Sequence, residues 1–266
     1  MTHPPLWIDE LARQFWLMVG GEEPFPRRLV DPILWSPLDL AVEEIQALTT
    51  RTIRGQLVRR RLQIPGPSGE AALRGCLLAS NGGGLILIDA SDSPAERTFT
   101  LAHELAHFLR DYWQPRRRAV ASFGPAILDA LDGRRTLHPE EHLHGLLREI
   151  PLGSHTHLMR RDRGWMPLTV ARAEANADRL AMELLAPADE IARRWPDLTD
   201  GEVLAERLAD EFGLPRRSAD DYADHLFPQV EECPLLIRLR KSANSCRTFA
   251  STGEQETGGS CDEQPT

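Results

Sequence analysis

Helical and strand periods alternate along this chain, and the changes between them outline its elements. Leu6 to Val19 reads as a helix, followed by a loop through Pro24, Pro26 and Pro32 and a strand near Asp39 to Ile45. Thr49 or Thr50 is placed to cap a basic helix running to about Arg61. Gly84 to Asp89 is a short apolar run between a glycine triplet and an aspartate, which marks a strand. Ser93-Pro94-Ala95-Glu96 then supplies an N-cap serine, a proline at the first helical position and the glutamate of a capping box. From Arg97 to Arg110, the residues Phe99, Leu101, Ala102, Leu105, Ala106, Phe108 and Leu109 cover a wide helical arc, so this helix is expected to be mostly buried. Ala177, Leu180, Ala181, Leu184 and Leu185 define a second buried helix, which Pro187 ends. Short strands among more numerous helices point to the α+β class.

The first buried helix carries the chemistry. Residues 103 to 107 read His-Glu-Leu-Ala-His. Histidines four apart lie on one helical face, where both rings can reach a single metal ion. Glu104 lies beside the same point and is placed to take a proton from water there. Imidazoles on a buried helix need partners, which favours a real site over a chance pattern. The strand before the helix suggests an edge able to hold an extended peptide above the metal, with Gly84, Leu85 and Ile86 as candidate substrate-binding residues.

Two histidines and a water leave zinc one protein ligand short of its usual catalytic set. Glu174, on the second buried helix, is the candidate for the third. Asp178 lies one turn later on the same face, placed to orient a ligand histidine. A first-turn glutamate alone is usually solvated. Beside His103 and His107 it reads as a ligand.

The stretches Phe99-Thr-Leu-Ala-His-Glu-Leu-Ala-His-Phe108 and Glu174-x-x-Ala177-Asp178-x-x-Ala181-x-x-Leu184-Leu185-x-Pro187 resemble the ImmA/IrrE family of metallo-endopeptidases, over roughly residues 35 to 227. The resemblance implies a zincin-like core with a small mixed sheet, an HExxH helix, a second helix with a glutamate ligand and a C-terminal helical hairpin. It also implies zinc (Zn2+) on His103, His107 and Glu174, with Glu104 as catalytic base. Members typically cleave a helix-turn-helix transcriptional repressor, often in stress responses. Three features depart from the family pattern: Asp178 stands where Asn is usual, Leu180 where Phe is usual, and Ala186 where Met is usual. The 66 residues between His107 and Glu174 also exceed what compact members have.

Composition narrows the setting. The net charge of −9 and pI near 5.5 argue against nonspecific nucleic-acid binding. Arg59-Arg60-Arg61 is therefore read as a solvated helix face. Cys76, Cys233, Cys246 and Cys261 show no paired spacing, so neither a disulfide frame nor a cysteine metal site is indicated. No apolar run approaches the roughly 20 residues that cross a bilayer, and no signal-peptide pattern opens the chain; a cytoplasmic location is the default expectation.

The divisions expected are an N-terminal helix and loop (1–34), a catalytic domain (35–227) and a C-terminal segment (228–266) that is disordered from about 241. Residues 114–168 read as an insertion, with a helix at Ala126 to Leu131, and a lid or substrate-gripping role. Five of the nine histidines fall there: His138, His142, His144, His155 and His157. Their i, i+2 spacing converges on a metal only in an extended strand, and the surroundings read as loop and short helix, so a second metal site is not favoured. Tyr112, His155 and His157 remain equal candidates for stabilising an oxyanion. Leu204 to Gly213 and Arg216 to Phe227 have a helix-turn-helix look, but Asp220, Asp221 and Asp224 would repel phosphates. A hairpin packed on the core is the reading.

The expected activity is zinc-dependent cleavage of a protein substrate, without direct nucleic-acid or membrane partners. One rival is a zinc-containing regulatory protein that acts on a repressor or DNA without proteolysis. Another is an aminopeptidase or small-substrate hydrolase with a closed pocket.

Overall fold

The computed structural model describes residues 2–61, 64, 66–141, 153–162 and 166–227. Its elements are α1 (Leu6–Met18), α2 (Val30–Trp35), β1 (Leu40–Ile45), α3 (Thr50–Arg59), β2 (Leu73–Ser80), β3 (Gly83–Asp89) and α4 (Pro94–His107). A π-helical turn, Phe108–Trp113, leads into α5 (Gln114–Phe123) and α6 (Ile127–Leu131). After these come β4 (His155–Arg160), α7 (Leu168–Leu185), α8 (Ala188–Arg194), α9 (Gly201–Phe212) and α10 (Arg216–Leu226). The class is α+β, with a small mixed sheet. His142, His144, Cys233, Cys246, Cys261 and the tail expected to be disordered from 241 lie outside the described residues.

The sheet runs in the order β1-β3-β2-β4, with β1 parallel to β3 and the other pairs antiparallel. Strands β2 and β3 form a two-residue hairpin at Asn81-Gly82, both with positive φ (52° and 89°), closed by the Ser80–Gly83 pair. Asn-Gly is suited to this turn because both positions need left-handed backbone. Both strands are almost continuously apolar because both faces of the sheet are covered. Leu77, Ala79, Ile86 and Ile88 join the core shared with α4 and α7, while Cys76, Leu78, Leu85 and Leu87 pack with Ile53 and Leu57 of α3.

This order corrects two expectations. Strand β3 is interior and hydrogen-bonded on both sides, so Gly84, Leu85 and Ile86 have no free edge for a peptide. Gly84 instead makes room for packing: a Cβ there would lie 2.8 Å from Leu40 Cδ1 and 3.2 Å from the Phe108 ring. The second correction concerns 114–168. Its residues His155–Arg160 are a core strand, paired with β2 and forming an edge of the sheet among the described residues.

Helix α4 begins as its sequence dictates: the Ser93 side chain accepts from Glu96 N, and the Glu96 carboxylate accepts from Ser93 N. Every residue from Phe99 to His107 is buried. The N-terminal segment shares the same core, since Ile8, Leu11 and Phe15 of α1 pack there and Arg27 donates to Leu184 O at 2.7 Å. The hairpin α9–α10 turns at Gly213 (φ 71°) and buries Leu204, Leu208, Phe212, Tyr222 and Leu226 against that core. Arg60 is ion-paired with Glu43, consistent with a surface role for the arginine run.

Candidate metal centre

Helix α4 presents His103 and His107 on its inner face, and α7 brings Glu174 opposite them. One ligand atom from each of His103, His107, His157 and Glu174 lies within 4.8 Å of the others. Each α4 histidine is held from behind: His103 Nδ1 is 2.8 Å from Asp178 Oδ1, and His107 Nδ1 is 2.7 Å from Asp111 Oδ2. With the proton on Nδ1 donated to a carboxylate, each ring turns an Nε2 lone pair inward.

Both Nε2 atoms are buried without a hydrogen-bond partner. The Glu174 carboxylate lies 3.5 Å from each, too far for a good hydrogen bond. That spacing is close to the edge of a tetrahedron with metal–ligand bonds of about 2.0–2.1 Å. Two neutral imidazoles, a carboxylate and two orienting carboxylates fit a borderline metal such as zinc.

Asp111 was not singled out in the sequence, although its i, i+4 offset from His107 repeats the histidine spacing. It belongs to the π-helical turn, where Arg110 also donates to Asp111 and, at 2.6 Å, to Ala173 O of α7. The turn therefore fastens the ligand helix to the helix that carries Glu174.

Glu104 is fully buried beneath the sheet. Its Oε2 lies 2.8 Å from His157 Nδ1, while Oε1 has no partner. Gly75 of β2 permits this placement, because a Cβ would lie 2.5 Å from Thr100 Cγ2 and 3.0 Å from Glu104 Oε1. His157 also lies 2.9 Å from Glu174 through Nε2 and stacks on the His107 ring at 3.7 Å. Burial works against its charge, yet Glu104 and Glu174 outweigh it and push its pKa up to about 10. Burial likewise opposes ionisation of the two glutamates, and the neighbouring imidazoles hold both below the usual carboxylate range. The centre is a pair of carboxylates calling for positive charge between them.

The three oxyanion candidates separate here. Tyr112 is buried, and its hydroxyl accepts from Gly82 N at 2.8 Å, with the ring beneath Arg116. His155 lies beside His107 and Asp111, with a buried, unpartnered Nε2 and burial holding its pKa down. His157 alone of the three contacts Glu104 and Glu174.

A His/Glu group that could hold a metal ion thus lies beside a small mixed sheet. Residues 67–126, which span β2, β3 and α4, match the family model described as the IrrE N-terminal-like domain, and this match supports the ImmA/IrrE family for the chain. The match ends before β4 and α7. No curated protein matches the chain.

Proposed function

We propose that this protein is a zinc-dependent endopeptidase with a zincin-like core, its metal held by His103, His107 and Glu174. The observation that carries this reading is the pair of buried, unpartnered Nε2 atoms facing Glu174. Zinc bound there supplies Lewis acidity, drawing the pKa of water toward about 7 and polarising a carbonyl. Glu104 accepts the proton of the attacking water as the new C–O bond forms, then delivers it to the amine as the C–N bond breaks. His157 donates an N–H to the developing oxyanion.

Strand β4 is the edge that receives substrate. An extended peptide adds to it by main-chain hydrogen bonds and lies between β4 and α7. A cleft of about 720 Å³, lined by His155 to His157 and by Thr169, Ala173 and Glu174, opens on one side of the centre. A second cleft opens beyond Met159 on the other. Clefts toward both ends of β4 suit cutting within a chain better than trimming its terminus. A non-proteolytic zinc protein has no use for Glu104, buried in the site with one oxygen unpartnered.

By family resemblance, the substrate is a helix-turn-helix repressor, and cleavage serves stress-responsive transcription in the cytoplasm. No helix among the described residues is long and apolar enough to cross a membrane. The test mixes the zinc-loaded protein with a helix-turn-helix repressor encoded beside it. A chelator-sensitive cut is expected, and an intact repressor would remove this substrate assignment.

A further inference from the structure

The cleft beyond Met159 has a volume of about 200 Å³ and carries an unusual charge for so acidic a chain. Four arginines are among the residues that line it: Arg74, Arg160, Arg161 and Arg217. Two are committed, Arg74 to Glu96 and Arg161 to both Asp89 and Asp92, each at 2.8 Å. Arg160 and Arg217 are exposed and form no ion pair among the described residues. Of the three acids at the cleft, Glu96 is taken by Arg74 and Asp178 by His103, which leaves Asp221. Among the described residues, two cations without an ion pair thus share the cleft with one such anion. The first turn of α10, with Arg217 and Ser218, has no side-chain cap and adds the positive end of that helix.

Resting on the peptidase reading above, we propose that this cleft takes an aspartate or glutamate side chain of the substrate, N-terminal to the scissile bond. The direction follows from β4. A peptide added antiparallel, the sense in which β4 already pairs with β2, runs from the Arg160 end toward the His155 end. With bond cleavage at His157, the cleft beyond Met159 receives a side chain roughly two to four residues before the cut. Arg160, on the receiving strand, and Arg217, on the far wall, clasp its carboxylate. The C-terminal hairpin thereby acquires a task in recognition.

The experiment uses the zinc-loaded full chain and a library of unstructured peptides randomised around the centre, with cut sites read by mass spectrometry. The wild type should enrich Asp and Glu over Gln and Asn before the cut by about tenfold. R160E/R217E should turn that preference toward Lys and Arg, while R217Q should weaken it without inversion. Enrichment is a ratio within the cut products, so a lower overall rate does not obscure it. As a second readout, the E104Q protein should bind a Glu-containing selected peptide more tightly than its Gln counterpart, by a margin that shrinks with added salt. Cutting with no acidic enrichment, or enrichment unchanged in R160E/R217E, overturns this subsite and leaves the peptidase reading intact. A wild type that cuts nothing in the library overturns the peptidase reading, and the subsite with it.

Discussion

Two walls bound the candidate metal centre, and they are built by opposite rules. Helix α4 is capped, buried on all sides from Phe99 to His107, and has each histidine tied from behind by a carboxylate. Strand β4 is, among the described residues, a sheet edge whose His155 and His157 are only partly covered. The first wall fixes a coordination geometry before any ligand arrives. The second leaves backbone hydrogen-bonding groups for an incoming chain. In the proposed function, holding and receiving thus fall to different elements.

The contrast breaks most visibly if a ligand on α4 is compared with His157 on β4. His103→Ala should abolish both zinc retention and cleavage. His157→Ala should keep zinc while lowering kcat by about 10²–10³-fold, because it removes one oxyanion donor. Zinc content by elemental analysis, set beside kcat, separates the two. Loss of zinc in His157→Ala would make that residue a fourth ligand and remove the distinction between the walls. Asp111→Asn should fall between them, weakening zinc binding about 10–100-fold while some cleavage survives at high zinc.

A smaller effect sharpens the same comparison through packing. Gly75→Val should force α4 away from β2 and destabilise the fold by roughly 1–3 kcal/mol through overpacking. The same change should lower activity more than global stability alone predicts, since Glu104 lies at the point of contact. Denaturant titration beside kcat/KM measures both.

The smallest effect is a control placed away from both walls. Glu183, at the far end of α7, accepts from Ala188 N and Tyr222 Oη, and burial pushes its pKa up to about 7 from 4.5. Its stabilising contribution is complete below about pH 4.5 and is lost as pH rises through about 7. Glu183→Gln should therefore flatten that pH dependence and be the more stable form at pH 8, by roughly 1–2 kcal/mol. A Tm profile parallel to the wild type would dismiss this assignment.

How much of the molecule could be read in advance follows the same division. Helix α4 was legible because its information is local: the cap, the apolar arc and the histidine spacing all lie between Ser93 and Leu109. Helix α7 was legible for the same reason, whereas Glu174 stood out as a candidate only beside His103 and His107, more than sixty residues earlier. Strand β4 was not, because its place depends on pairing with β2 across more than seventy residues of chain, and its His-Thr-His carries no apolar alternation. Strand β2 could have been found, since Asn81-Gly82 between two apolar runs is a hairpin signal. With β2 in hand, β3 becomes interior and Gly84 to Ile86 drop out as a substrate edge. Asp111 was visible in the spacing, but its role needed the opposing carboxylate of Asp178 to become plain.

In the proposed mechanism α4 holds zinc while Glu104 moves the proton of the attacking water. Glu104→Gln keeps the shape of the side chain and removes the base, so zinc content and cleavage are measured together on that one protein. Zinc should be bound as in the wild type, with no detectable cut. Cleavage at the wild-type rate with zinc in place would contradict that mechanism.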